Sequence, residues 1–391
     1  MKLSIRNINH FNIDNCNNLI SCLSDLDPIP TVSLCHICYE HVPAYTYNKD
    51  NQFWLSKKCQ IHGITHHMIE RDYEFIHNIP QNDYFFNKKS ILYEVSDRCN
   101  IACPHCYHMP DNSIIDKPII SLMNEFNETI GKDDISRVDK SEIILAGAEA
   151  SMHKNFIELI KTIKSNYKNE VSVMTNGIRF SNKKFLDDAI NKGLYQIHFG
   201  LNHPSYIGNK SIRDKQLKAI SYSNDYNIIG YIGYTMSSMS ELIDILEEST
   251  RNNWKAMIRI RYGSDIGRYP DQPRMYVSDI FKITKDWCEK NNKTFEIVPA
   301  DNNIYHVMVK IDQQLFRLIQ WCDVTDIHME ELMTGPYCNF VPDGVTNFLH
   351  QIIRRDFWKN QGNMLLDSPP QRYVRNWNEE NEELDFLKLY E

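Results

Sequence analysis

The 391-residue chain has no apolar run approaching the ~18 residues that span a bilayer, so the sequence offers no transmembrane helix. Its N-terminus, Met1-Lys2-Leu3-Ser4-Ile5-Arg6-Asn7-Ile8, lacks the apolar stretch of a secretory signal. Lys and Arg do not cluster, and 43 basic against 51 acidic residues leave a formal charge of −8. The electrostatic footprint of a nucleic-acid binder is missing, which argues against a nucleic-acid partner. With neither leader nor span, the expected location is the cytoplasm. There, eleven cysteines serve more readily as metal ligands or buried thiols than as disulfides. A hydrophobic content of 42% is ample for a core, and the length suits one large or two to three smaller domains.

What the chain does have is two sets of patterned cysteines. Cys99-Asn100-Ile101-Ala102-Cys103-Pro104-His105-Cys106-Tyr107 sets three thiols at C-x3-C-x2-C spacing, directly after the apolar run Ile91-Leu92-Tyr93-Glu94-Val95. Three thiolates on one tight loop can hold three irons of a [4Fe–4S] cluster and leave the fourth iron open to a small chelating molecule. Taken alone, the same trio also suits a zinc site. The second set pairs Cys35-His36-Ile37-Cys38 with Cys59-Gln60-Ile61-His62-Gly63 after twenty intervening residues. A C-x2-C and a C-x2-H knuckle at this separation suit a tetrahedral structural site. Zinc is the expected ion and a rubredoxin-like iron the alternative. Such a clip stabilises a segment with few apolar residues.

From residue 90 apolar strands alternate with amphipathic helices, the pattern of a parallel β/α fold. Strands are expected near 90–97, 142–146, 171–177, 195–202, 228–235 and 255–262, and helices near 117–131, 155–167, 183–192, 210–225 and 240–252. Active groups in such barrels gather at the carboxyl ends of the strands. Gly147-Ala148-Glu149, Thr175-Asn176-Gly177 and Asn202 fall there. Glycine at 147 lets the backbone approach a ligand closely, and Glu149 also suits a helix N-terminus. His198, upstream of Asn202 on the same strand, shares its face and also reads as a core histidine. Arg259 and Arg261 share one face of the sixth strand, where two cations are costly unless paired. Their planar forks suit a carboxylate or phosphate, or else an outward salt bridge to a helix.

The cysteine loop after a first strand, together with these strand ends, resembles the radical S-adenosylmethionine (radical SAM) superfamily. The resemblance implies an α/β fold with a partial (β/α)6 radical SAM barrel, a [4Fe–4S] cluster on Cys99, Cys103 and Cys106, and SAM chelated to the open iron. It also implies SAM-facing roles for the ring of His105, for Gly147, Ala148 and Glu149 at the family's Gly-Gly-Glu position, and for Asn176, Asn202, Arg259 and Arg261. Ala148 departs from the family glycine, Ala150 from its usual proline, and His105 from its aromatic residue. The reduced cluster in this family cleaves SAM to methionine and a 5′-deoxyadenosyl radical, so a reductant such as flavodoxin or ferredoxin is an implied partner. The N-terminal knuckles on Cys35, Cys38, Cys59 and His62, followed by Arg71-Asp72-Tyr73, resemble in particular the branch of tetraether lipid synthase and archaeal pterin methylases.

The expected domains are residues 1–85 with the metal module, 86–270 as the barrel, and 271–391 as a C-terminal α+β extension closing it. The extension reads as a helix near 276–291 and a hairpin around Asp312-Gln313-Gln314. Cys288, Cys322 and Cys338 stand 34 and 16 residues apart without a knuckle, so buried thiols are the expectation over an auxiliary cluster. The resembled branch implies C–H activation for C–C bond formation or methylation of a small-molecule, lipid or peptide substrate. Three alternatives stay open: a peptide maturase, an aminocarboxypropyl-transferring cluster enzyme, and a non-catalytic metal-binding interaction protein.

Overall fold

The computed structural model describes residues 2–4, 23–26, 28–35, 41–79, 90–103, 106, 110, 112–131, 142–203, 210–236, 238–252, 254–262, 275–299, 306–319 and 383–385. Strand β1 (Lys2–Ser4) pairs with a strand near the C-terminus, Glu383–Asp385. A four-stranded antiparallel sheet follows: β2 (Ile29–Leu34), β3 (His41–Lys49), β4 (Gln52–Cys59) and β5 (Gly63–Glu70). The β3–β4 hairpin turns on Asp50 and Asn51, both at positive φ (53° and 58°), the geometry a two-residue hairpin needs and these short polar side chains tolerate. The knuckle residues 59–62 make the next turn, between β4 and β5. Sequence reading sees the knuckles but not this sheet, because polar and apolar residues alternate irregularly along its strands.

After helix α1 (Tyr73–Asn78) come six strand–helix units in strict alternation: β6 (Ser90–Ser96), α2 (Ile119–Gly131), β7 (Glu142–Gly147), α3 (Phe156–Asn166), β8 (Val171–Thr175), α4 (Lys183–Asn191), β9 (Leu194–Asn202), α5 (Lys210–Asp225), β10 (Ile229–Met236), α6 (Met239–Asn252), β11 (Met257–Tyr262) and α7 (Val277–Lys290). The six strands lie parallel and side by side in chain order. The chain then adds β12 (Phe295–Val298), β13 (His306–Ile311) and β14 (Gln314–Ile319). Strand β14 runs parallel to β11, and β13 and β12 continue antiparallel, giving nine strands with β6 and β12 at the edges. The hairpin expected around Asp312 is β13–β14; β12 is an addition that the sequence pattern did not signal.

Alternation divides the sheet into two faces. Ile143, Leu145, Val173, Ile197, Phe199, Ile232, Ile258 and Ile260 are buried in one apolar cluster with helix residues such as Leu159, Ile163, Leu186, Ala219, Leu242 and Leu246. Each fully buried side chain of this size contributes roughly 1.5–3 kcal/mol. Tyr93 and Tyr234 belong to this helix-facing side, bonded to the Leu122 carbonyl and to Glu248. The opposite face carries Glu142, Ser172, His198, Tyr231 and Arg259. No described helix is long and apolar enough to cross a membrane.

The four-stranded sheet is fastened to the larger one through Glu70. This buried carboxylate, last in β5, accepts from the amides of Arg71 (2.6 Å) and Asp72 (3.3 Å) and from the amide (3.4 Å) and hydroxyl of Ser278 in the first turn of α7. Tyr276, the N-cap of α7, supplies no side-chain cap, so Glu70 caps that helix from another module. Arg71 pairs with Asp279 (3.3 Å) and lies over the Tyr276 ring, while Asp72 caps α1 through the Phe75 amide (3.0 Å). The Arg-Asp-Tyr segment is thus a docking joint. Replacing Glu70 by Ala orphans these donors, and the expected loss is about 3 kcal/mol. Calorimetry reads the lower Tm, and hydrogen exchange reads faster opening at 71–78 and 277–281; unchanged exchange in α7 would contradict the joint.

Candidate metal and cofactor sites

Two separate sites carry the cysteines. In the N-terminal sheet, Cys35, Cys59 and His62 bring their donor atoms within 4.8 Å of one another. His62 Nδ1 lies 3.4 Å from Cys35 Sγ and 3.5 Å from Cys59 Sγ. Tetrahedral zinc, with Zn–S near ~2.3 Å and Zn–N near ~2.0 Å, places S and N about 3.5 Å apart. The donors therefore fit a zinc ion without rearrangement. Burial raises the Cys59 thiol pKa, but hydrogen bonds from His62, Ile61 and Cys35 outweigh it and hold the value at about 7. A thiolate is thus accessible near neutrality, as metal binding requires. Cys38, the expected fourth ligand, lies outside the described residues.

The second site lies at the carboxyl ends of β6, β7 and β8. Its organising group is Glu149, which is 2% exposed. Its Oε1 accepts from Thr175 Oγ1 (2.6 Å), from the Ser151 amide (3.2 Å) and from the Ser151 hydroxyl; its Oε2 accepts the Asn176 amide at 2.7 Å. Burial raises its pKa, and these bonds oppose the shift. The helix-capping reading of Glu149 holds for the 3-10 turn Ala150–Met152, and the carboxylate also ties β7 to β8. Gly147 has φ +124°, and a Cβ there would overlap the Ser96 carbonyl, which also accepts the Ala148 amide at 2.9 Å. This glycine is required by a close approach to strand β6.

The cysteine loop leaves β6 under several restraints. Asp116, buried and unsuspected from sequence, accepts from Ser96 Oγ (3.2 Å), Arg98 (3.3 Å) and the Lys154 amide (2.9 Å). Asn112 Oδ1 accepts the Cys99 amide at 3.1 Å, and the Cys106 amide closes a turn on the Cys103 carbonyl at 3.2 Å. His153, fully buried, reaches the Lys117 carbonyl at 2.9 Å. Asp and His in loops give no periodic signal, which is why the pattern missed them. Cys99 is buried, and Cys103 and Cys106 are partly exposed. Burial above all, with Glu149, Cys106 and Cys103 adding, pushes the Cys99 thiol up to about 12. Ionising it needs an adjacent cation such as iron. Three soft thiolates suit an iron–sulfur cluster or zinc over a hard ion. His105 lies outside the described residues.

Beyond β8 the polar face continues. His198 Nε2 stands 3.5 Å from Glu142, which also accepts from Ser172. The His198 ring stacks on Tyr231 at 4.5 Å, and Arg259 lies over the same Tyr231 ring at 4.4 Å. Arg261 Nε donates to Thr235 Oγ1 at 2.8 Å. Both arginines are on the face away from the helices, which sets aside the outward-bridge alternative. Gly200 and Gly233 pair in register on this face, and the Tyr231 ring lies beside Gly233. Backbone pairing places Asn202 opposite Thr235; its side chain lies outside the described set. Cys288 is a buried core thiol, raised to about 11 mainly by burial, and Cys322 and Cys338 lie outside the described residues.

Replacing Glu149 by Ala leaves the Thr175, Ser151 and Asn176 donors unpaired in a buried place. The expected loss is about 3 kcal/mol, checked by thermal melting, with Gln, which retains one acceptor, losing less.

Comparison with known proteins agrees with this geometry. Residues 93–248 match the radical SAM superfamily, and residues 29–71 match the HMPTM N-terminal zinc ribbon domain. The chain is 26% identical over 206 residues to the 7,8-dihydro-6-hydroxymethylpterin dimethyltransferase of Methanocaldococcus jannaschii, covering 45% of this chain and 40% of that one. It is 30% identical over 125 residues to the GTP 3′,8-cyclase of Desulforamulus reducens, covering 31% of this chain and 36% of that one. The chain thus spans about two fifths of the length of these curated relatives. Among solved structures, SuiB of Streptococcus suis has a TM-score of 0.39 at 13% identity, covering 55% of this chain and 48% of that one. Native anSMEcpe with bound AdoMet has a TM-score of 0.39 at 16% identity, covering 51% and 59%. The chain thus carries a radical SAM domain over residues 93–248 behind an HMPTM-type zinc ribbon over residues 29–71, an arrangement that fits a radical SAM enzyme and resembles the branch of the archaeal pterin dimethyltransferase.

Proposed function

We propose that this protein cleaves SAM reductively at a [4Fe–4S] cluster held by Cys99, Cys103 and Cys106, and uses the outcome to activate a C–H bond for methylation or C–C bond formation. The observation that supports this most directly is the three-cysteine loop at the carboxyl edge of a parallel sheet, within the segment that matches the radical SAM superfamily. When bound, cluster and SAM together supply one-electron cleavage of a SAM C–S bond and hence a 5′-deoxyadenosyl radical. The protein's own part is burial, orientation and exclusion of water. Gly147, Ala148 and Glu149 act through the backbone of their strand end, because the Glu149 carboxylate is already engaged. Arg259 and Arg261 face the SAM and substrate side, their forks suited to a carboxylate, and the family resemblance assigns His105 and Asn202 to SAM as well. Residues 1–85, 86–270 and 271–391 are read as ribbon, barrel and extension, the ribbon holding zinc on Cys35, Cys38, Cys59 and His62. A flavodoxin- or ferredoxin-type reductant is the natural electron source, in the cytoplasm.

The similarity to a protein named as a pterin dimethyltransferase favours methylation or C–C bond formation over peptide maturation. Anaerobic reconstitution with iron and sulfide, followed by SAM and dithionite, tests the reading. Cysteine-dependent 5′-deoxyadenosine is expected, falling to background in a Cys99/Cys103/Cys106 triple-alanine variant. Methylthioadenosine in its place would point to aminocarboxypropyl transfer. Elemental analysis of the ribbon is expected to give one zinc per chain, lost in Cys59→Ser with a lower Tm.

A further inference from the structure

Asn176 is held on both its backbone and its side chain. Its backbone amide donates to Glu149 Oε2 at 2.7 Å, and its backbone carbonyl accepts from Gln216 Nε2 at 2.9 Å. Its Oδ1 accepts the Ile178 amide at 3.0 Å. That bond decides which end of the side-chain amide is oxygen, a matter otherwise left to convention. Nδ2 must then face the cysteine loop, where it donates to Asn100 Oδ1 at 2.7 Å and lies 3.8 Å from Cys99 Sγ. Sequence reading set Asn176 toward SAM; its side-chain donor also lies against a cysteine sulfur.

We infer that Asn176 is a tuning residue, its side-chain N–H donating to the Cys99 sulfur and so raising the reduction potential of the cluster that this cysteine ligates. The inference rests on the proposed cluster assignment. Reduction adds an electron whose charge is shared by the ligating sulfurs, and a donor on one of them stabilises the reduced form more than the oxidised form. Partial burial strengthens the effect by lowering the local dielectric. The anchoring of Asn176 through Glu149, Gln216 and Ile178 fixes the donor in place, so no reorganisation accompanies the electron.

The experiment is an EPR-monitored redox titration of the reconstituted full-length protein and its Asn176→Ala and Asn176→Asp variants, alongside iron and sulfide content and Tm. Asp retains an acceptor for the Ile178 amide and loses the donor. At a fixed poise the reduced-to-oxidised ratio in Asn176→Ala is expected to fall roughly fivefold, about 40 mV for a one-electron couple. The deuteron coupling seen after exchange into heavy water is expected to weaken in both variants. A wild-type protein that assembles no four-iron cluster overturns the cluster assignment and this inference with it. A cluster that assembles normally with an unmoved potential in Asn176→Ala overturns the inference alone. So does weaker SAM binding, or lower cluster content, at an unchanged potential.

Discussion

The site depends on a carboxylate that has been taken out of water. Glu149 sits at the end of β7 with its oxygens saturated by donors from its own turn and from the end of β8. Burying an ionisable group without partners is costly, so the surrounding backbone has one arrangement in which all donors and acceptors meet. That arrangement fixes Thr175 and Asn176, and through Asn176 it reaches Asn100 and Cys99. The described part of the cysteine loop, residues 97–103, carries no helix or strand and thus inherits its position from two strand ends.

Glu70 repeats the device at the other joint of the molecule. It too is buried, and among the described residues its partners are backbone amides and a serine hydroxyl. Both carboxylates stand where backbone donors would otherwise go unpaired, and both join elements far apart in sequence. A metal ion in the N-terminal turn would order β4 and β5, and β5 ends on Glu70. Any stabilisation of the ribbon is therefore passed to the first turn of α7 through a hydrogen-bonded contact.

The periodic part of the fold was legible in the sequence. Period-2 apolar runs and amphipathic helices gave the six units within a few residues of their observed bounds, because burial on one face enforces those periods. The N-terminal sheet was not legible, since its alternation is irregular and knuckle turns hold its ends. At the site, cysteine spacing marked the loop and Asn-Gly marked the end of β8. Nothing marked Asp116 or His153, whose roles come from accepting or donating across 18 to 38 residues of chain. The approach of Gly147 to Ser96 was not legible either, because a positive φ shows in the sequence only as glycine and the neighbouring strand does not show at all.

The sequence by itself determined the chemistry on offer: which thiols are spaced to share a metal centre, which residues can be strand ends, and how many βα units follow. These are local properties, set by side-chain type and by the short reach of a loop or a strand. The tertiary structure decided orientation. It alone determined that the Asn176 donor faces a sulfur, that Arg259 lies on a tyrosine ring on the face away from the helices, and that Glu70 caps a helix two hundred residues away. Such pairings join strands and loops through space, and a linear pattern carries no term for which buried donor will meet which buried acceptor.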